Sequence, residues 1–250
     1  MRNLTKKGFW IKSLEKVIFP HTLNIKYYPY FISLNKIFKK FLPKDTNLTI
    51  FEIGCAPGCY LIYFNKTFGF RPFGIDFIKE GVEKTKVNLE NFGIDSSGIY
   101  FGDIFSEKEK FPKFDLVFSG GFVEHFSDLQ LTIDIHTKFL KRGGYLIITV
   151  PNFRSKFYRT LQKFLNKEDY YAHMEISKKD ILICIEKDYE IIFLDYVGFF
   201  DLGILRSNVY LIDFLIRTFN KFIQSFLFLF KIKRTSSFLS PSMALIAKLK

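Results

Sequence analysis

A chain of 250 residues, 48% hydrophobic and 25% charged, has the apolar content for one large buried core, which excludes fibrous and intrinsically disordered classes. Its formal charge of +12 invites an anionic partner, but the cations are mostly lysines scattered along the chain; no specific nucleic acid is expected, and an anionic membrane surface suits so diffuse a charge better. Three cysteines (Cys55, Cys59 and Cys184) exclude a disulfide framework and fit a reducing, cytoplasmic setting, and the charges at Lys6, Lys7, Lys12, Glu15 and Lys16 lead us to expect no signal peptide.

Residues 1–43 are basic and aromatic. Phe31, Leu34, Ile37, Phe38 and Phe41 recur at helical spacing and predict one buried face, and Pro43 ends the segment. From residue 48 short β-branched or aromatic runs alternate with longer helical patterns. Strands are predicted at 48–53, 71–76, 98–101, 114–119, 145–150, 190–197 and 243–249. Helices are predicted between the first five, notably at 60–68, 79–92 and 128–140. Lys141-Arg142-Gly143-Gly144 reads as the terminator of the last, with cations in the final turn and glycine beyond it. This alternation predicts an α/β fold: a Rossmann-like, doubly wound, seven-stranded sheet, mostly parallel with an antiparallel last strand, and helices on both faces.

Residues 206–234 break the alternation. Leu211, Leu215, Phe219, Phe222 and Phe226 belong to a wide apolar surface, with Asp213, Arg217, Lys221 and Gln224 in line on the opposite side. The charges at 213, 217 and 221 leave no uninterrupted apolar run of about 18 residues, so this amphipathic insertion, at about 200–240, is not a spanning helix. It reads in two ways. Either its apolar side covers the core or a dimer face, or it is an interfacial helix, with Lys231, Lys233 and Arg234 suited to anionic headgroups.

The chemistry concentrates at strand tips. Glu52-Ile53-Gly54-Cys55-Ala56-Pro57-Gly58 is an apolar strand running into a small-residue turn and then a helix, where glycine permits close backbone approach and the helix start presents free N–H groups. Asp76 ends the second strand, beside that loop in an open α/β sheet, where its carboxylate can accept both hydroxyls of a ribose or serve the turn before the next helix. Gly102-Asp103-Ile104 places another acid at the third strand tip, suited to accept from an exocyclic amine.

Taken with these residues, Gly74-Ile75-Asp76, Phe114-Asp115-Leu116-Val117, Glu124-His125-Phe126 and the run from Leu140 to Asn152 resemble, in order and spacing over 44–152, the successive motifs of class I S-adenosylmethionine-dependent methyltransferases. The likeness is greatest to the ubiquinone-biosynthesis-type O-methyltransferase branch. The resemblance implies S-adenosyl-L-methionine as cofactor. It places Gly54, Cys55, Ala56 and Gly58 against the methionine part, braced by Glu52. Asp76 would hold the ribose, Phe77 would flank the adenine, Asp103 and Ile104 would read its edge, and Ser119 and Gly120 would lie near the amino-acid end. Ala56 departs from the family's usual glycine and narrows the loop. A nicotinamide fingerprint fails, because positions 54, 56 and 59 are Gly, Ala and Cys. A Walker loop is absent, Ser119-Gly120-Gly121-Phe122 replaces the Pro-Pro element of base-nitrogen methyltransferases, and no cysteine near the fourth strand suits cytosine-C5 chemistry.

Methyl transfer is a displacement in which alignment supplies much of the acceleration, and an oxygen acceptor must also lose a proton, a task suited to histidine. The candidates are His125, just after the fourth strand, and His173, in a segment where relatives carry substrate-contacting loops. His136 falls mid-helix at a packing position, and His21 lies in the N-terminal part, expected as a helical segment covering the active site of the 44–250 domain. No histidine or cysteine pair has zinc-ligand spacing, so no metal is expected. The acceptor is left as a small molecule, a sugar or a lipid-linked compound, with weak peripheral membrane contact and homodimerisation both open. A non-catalytic cofactor-binding subunit and an RNA methyltransferase are the alternatives.

Overall fold

The structure is a computed structural model that describes residues 3–5, 7–15, 17–106, 111–232 and 234–250, the side chains at 12 and 13 excepted. Lys6, Lys16 and Lys233 lie outside the described residues. Two helices, α1 (Lys7–Glu15) and α2 (Pro29–Phe41), precede the alternating part: β1 (Thr49–Ile53), α3 (Cys59–Phe68), β2 (Arg71–Asp76), α4 (Lys79–Asn91), β3 (Ile99–Phe101), β4 (Phe114–Gly120), α5 (Leu129–Lys138) and β5 (Leu140–Pro151). Three helices, α6 (Lys156–Leu165), α7 (Lys167–Tyr171) and α8 (Lys178–Ile185), lead to β6 (Tyr189–Val197). The long α9 (Tyr210–Leu229) then separates β6 from β7 (Ser242–Leu249).

The seven strands form one sheet in the order β3-β2-β1-β4-β5-β7-β6. β1 to β5 run parallel, and β7 inserts antiparallel between β5 and β6. Side chains alternate across the sheet with the strand period of two. Phe51, Ile53, Val117, Leu146 and Ile148 enter the core on one face. Ile50, Leu116, Phe118 and Ile147 enter the core on the other, where Leu34 and Phe38 of α2 also pack. Chain direction along the sheet reverses between β1 and β4, the switch point at which an open α/β sheet leaves a crevice at its carboxyl edge.

Two local expectations change. Lys141-Arg142-Gly143-Gly144 does not terminate a helix: α5 closes at Lys138, and these four residues form the entry to β5. The reason lies in the neighbouring strand, where Leu140 pairs with Phe114 and the register then shifts before Leu116 pairs with Tyr145. Asp115, within that irregularity, takes an ion pair from Lys141 at 2.9 Å.

The second change concerns α9, whose apolar side faces outward. Its buried residues are Asn220, Gln224 and Leu227. The Asn220 amide donates to Asp201 at 2.8 Å and to the Tyr28 hydroxyl at 3.1 Å, while Gln224 donates to the Phe200 carbonyl at 2.9 Å. Buried amides must find partners, so this polar stripe turns inward and leaves Leu211, Phe214, Leu215, Phe219 and Phe222 exposed, the last by 72%. Arg217 and Lys221 are exposed among them. No helix among the described residues is long and apolar enough to cross a membrane.

Candidate active site

The strand tips at the switch point enclose a first cavity of about 410 Å³, lined among others by Gly54, Asp76, Phe77, Asp103 and Ile104. Gly54 and Gly58 adopt φ of +75° and +88°, a region closed to most L-residues. A Cβ on Gly54 would lie 3.0 Å from the Phe122 ring, and one on Gly58 would lie 3.0 Å from the Thr85 methyl. Asp76 is 8% exposed; its two carboxylate oxygens accept the Ala56 N–H at 3.1 Å and the Ile78 N–H at 2.8 Å, which ties the glycine turn to the tip of β2. The Phe77 N–H bears on the same carboxylate, which keeps lone-pair capacity beyond these amides. Burial raises the Asp76 carboxyl above its ordinary range despite these amides. Asp103, exposed at the rim, takes the Phe105 N–H at 3.0 Å. Behind the loop, Glu52 accepts the Leu61 N–H but leaves Oε2 without a partner among the described residues. Burial first, then the neighbouring Asp76, pushes its carboxyl well up.

A second cavity, of about 350 Å³, lies against the segment that leaves β4. Gly120, Gly121, Glu124 and His125 form one wall, so the turn whose Phe122 lines the first cavity also bounds the second. Trp10 of α1, Tyr30 of α2, His173 and Arg206 close it from elsewhere in the chain. His125 holds its Nδ1 against the Ala172 carbonyl at 2.8 Å, and His173 holds its Nδ1 against the Asp169 carbonyl at 2.6 Å. A carbonyl oxygen only accepts, so each ring carries its proton on Nδ1 and presents an Nε2 lone pair. The rings meet at 4.4 Å between centroids. Burial pushes His125 down to about 4; burial and then the charge of its neighbour His125 push His173 down to about 3. Burial also lifts Glu124 to about 8 and Asp169 to about 6.

The sequence matches the methyltransferase-domain family over residues 44–194. The chain belongs to this methyltransferase family. Solved structures of the same fold include a SAM-dependent methyltransferase from Archaeoglobus fulgidus, 18% identical over 86% of this chain and 92% of the other, with a TM-score of 0.57. Another from Anabaena variabilis is 13% identical over 98% and 93%, with a TM-score of 0.60. Geranyl diphosphate C-methyltransferase from Streptomyces coelicolor is 12% identical over 88% and 78%, with a TM-score of 0.59. No curated protein sequence matches the chain.

The methyltransferase's first cavity fits S-adenosyl-L-methionine, its cofactor. Asp76 at its wall is a buried carboxyl that no cation among the described residues neutralises, and the ligand brings both a sulfonium and an ammonium charge. Asp76 would hold the ribose, and Asp103 with Ile104 would hold the adenine edge.

The structure does not bring every predicted residue to the surface of this cavity: Glu52, Ala56 and Gly58 do not line it, and neither do Cys55, Ser119 and Gly120. Cys55 is buried beneath β2, its thiol lifted by burial and by Asp76, and a Cβ on Gly74 would lie 2.9 Å from its sulfur. The Gly54 and Cys55 N–H groups are spent on the Ile75 carbonyl. Ser119 is fully buried and hydrogen-bonded to His136 at 2.9 Å, and burial pushes that histidine down to about 4, in a packing role. Gly120 lines the second cavity instead. Sequence reasoning missed the aromatic lid of the first cavity, Phe122 with Phe126 at 4.8 Å and Phe105 with Phe126 at 4.9 Å. The phenylalanines at 122 and 126, spaced by four around Glu124-His125, were the available signal. It also missed Trp10, Tyr30 and Arg206, which no motif marks.

Proposed function

We propose that this methyltransferase moves the methyl group to an oxygen of a small or lipid-linked acceptor in the 350 Å³ cavity, in the manner of the ubiquinone-biosynthesis-type branch that its motifs resemble. The observation that carries the reading is the shared wall: the turn from Gly120 to His125 borders both cavities, so an acceptor there lies next to the methionine end of the first. S-adenosylmethionine supplies an electrophilic methyl on a sulfonium. The protein's part is alignment and dryness. Phe9, Trp10 and Phe153 line the cavity, and the Nε2 of His125 or of His173 accepts the hydrogen bond of the acceptor hydroxyl, fixes its oxygen and receives the proton that this oxygen loses. The sugar and quinone-like phenol classes both present such a hydroxyl.

The apolar face of α9 supports a lipid-linked acceptor. The turn Leu202–Ile204 packs against α9, and Ile204 and Arg206 line the acceptor cavity, so the exposed aromatic helix and the acceptor entrance are one continuous structure. Arg217 is ion-paired with Asp213 at 2.7 Å, but Lys221, Lys231 and Arg234 are exposed on and just after the helix, so the occupant we infer for that face is an anionic membrane surface. The fold neighbour that acts on geranyl diphosphate takes an acceptor with an apolar chain, which agrees with this choice.

The test pairs labelled methyl transfer with vesicle flotation. With labelled S-adenosylmethionine, label should enter hydroxylated phenols, sugars or a lipid extract, and the protein should float with anionic vesicles and less with zwitterionic ones. Label found only on nitrogen or carbon overturns the oxygen assignment. Protein left in the bottom fraction with every vesicle, or paired through α9 as a dimer in cross-linking, overturns the membrane assignment.

A further inference from the structure

We propose that Glu124, His125 and His173 form a binding site for one divalent transition-metal ion of the zinc class, set in the wall of the acceptor cavity. These are two neutral imidazoles and a carboxyl that binds an ion with loss of its proton, together the donor set of open, catalytically used zinc and iron sites. One ligand atom from each lies within 4.8 Å of the others. Bonds of about 2.0–2.2 Å place tetrahedral ligand atoms about 3.4 Å apart, so modest side-chain rotation, closing about an ångström, seats the ion.

Four observations separate this cluster from a chance meeting of buried side chains. First, both rings are already in the tautomer that a metal requires, each Nδ1–H held by a backbone carbonyl at 2.8 and 2.6 Å, the outer contact that orients metal-binding histidines. Second, His125 Nε2 stands 3.9 Å from Glu124 Oε1, too far for the hydrogen bond these groups would make if they existed only to satisfy each other. Third, Glu124 is 2% exposed and its Oε2 has no hydrogen-bond partner among the described residues, a buried oxygen for which a cation is the natural complement. Fourth, the scaffold is fixed on both sides. The Met174 N–H donates to the Glu124 carbonyl at 2.7 Å, and Trp10 and Phe153 meet the two rings edge-on, each at 4.9 Å between centroids. Asp169, whose carboxyl oxygens have no hydrogen-bond partner among the described residues and feel the charge of Arg206, lines the same cavity and offers a further oxygen.

Glu124, His125 and His173 all line the cavity, so an ion held there would be open to an oxygen donor from it. This last step rests on the methyltransferase reading: the ion would bind the acceptor's oxygen in place of a histidine hydrogen bond. The ion site itself stands on the side chains alone.

The experiment uses the full chain, stripped with a chelator and titrated with Co²⁺, followed by visible absorption and competition with Zn²⁺. One Co²⁺ per chain with ligand-field bands, displaced by Zn²⁺, is the expected result. His173→Ala and Glu124→Gln should each weaken Co²⁺ binding by 100-fold or more while circular dichroism and the affinity for S-adenosylhomocysteine stay at wild-type values. Absence of stoichiometric binding by the wild type overturns the site, as does wild-type affinity in both variants. Adenosylhomocysteine binding without metal binding removes the ion and keeps the methyltransferase reading. Metal binding without adenosylhomocysteine binding does the reverse.

Discussion

Replacing Asp76 probes the cofactor cavity most directly. Its carboxylate ties the Ala56 and Ile78 amides, has the Phe77 amide against it, and keeps lone-pair capacity for the ribose hydroxyls. A hydrogen bond to a charged group contributes about 1.5–3 kcal/mol, so two lost hydroxyl contacts remove about 3–6 kcal/mol, or about 10²- to 10⁴-fold in affinity. Asp76→Ala also strands two backbone amides, at about 1–3 kcal/mol each, so the same change lowers thermal stability. Asp76→Asn separates the two effects: it keeps an acceptor oxygen and the volume, and should weaken binding by about 10- to 100-fold with a smaller loss of stability. The assay is calorimetric titration with S-adenosylhomocysteine beside a melting curve for each variant. Folded Asp76→Asn and Asp76→Ala proteins that bind within threefold of the wild type would refute the placement of the ribose.

Three other outcomes follow from particular contacts. Gly58→Ala puts an L-residue at φ +88° with its Cβ 3.0 Å from Thr85, a strain of about 1–2 kcal/mol that differential scanning calorimetry should read as a fall in Tm of about 2–8 °C. His136 is held neutral by burial, down to about 4 from an ordinary 6.5, so the unfolded chain gains its proton first on acidification. Its stabilising contribution is therefore complete above pH 6.5 and is lost as the pH falls towards 4, by about 3 kcal/mol; urea titrations across that window should show a shallower pH slope for His136→Gln. Phe219→Glu with Phe222→Glu, two side chains more than half exposed, should cut vesicle binding at least tenfold, since each aromatic contributes about 1 kcal/mol or more on partial burial and each new acid is repelled by anionic lipid; binding equal to the wild type would detach α9 from the membrane reading.

The half of the molecule that binds the cofactor was legible in the sequence because regular alternation and glycine chemistry are local. The β1 tip, Asp76 and Asp103 could be placed by counting from strand to strand, and the cavity they line follows from the parallel order. Side-chain direction was less legible. Cys55 and Ser119 sit in the right loop and strand, but the strand period sends Ser119 to His136 and the turn tucks Cys55 under Gly74. The Lys141-Arg142-Gly143-Gly144 run carried a helix-stop signal that the pairing of Leu140 with Phe114 overrode, a tertiary effect no local rule contains. The Glu124, His125 and His173 cluster was hidden because sequence spacing reports on ligands within one element, whereas here α7 and the turn after β4 converge only in three dimensions.

The second cavity is assembled from the parts of the chain with the weakest periodicity: Trp10 from α1, Tyr30 from α2, His173 after α7 and Arg206 before α9. On the proposed reading, the parallel sheet sets where a methyl group is offered and these insertions select what receives it. The same division explains α9. An amphipathic pattern gives the direction of a helix's moment but not which side turns inward, and here Asp201 decides. Buried and accepting from Tyr28, Asn220 and the Gly203 amide, it draws the polar stripe of α9 onto the domain. Held through these amides, with Leu227 buried and Phe228 against Tyr27, α9 leaves Phe219 and Phe222 exposed, which is the arrangement that the proposed membrane contact requires.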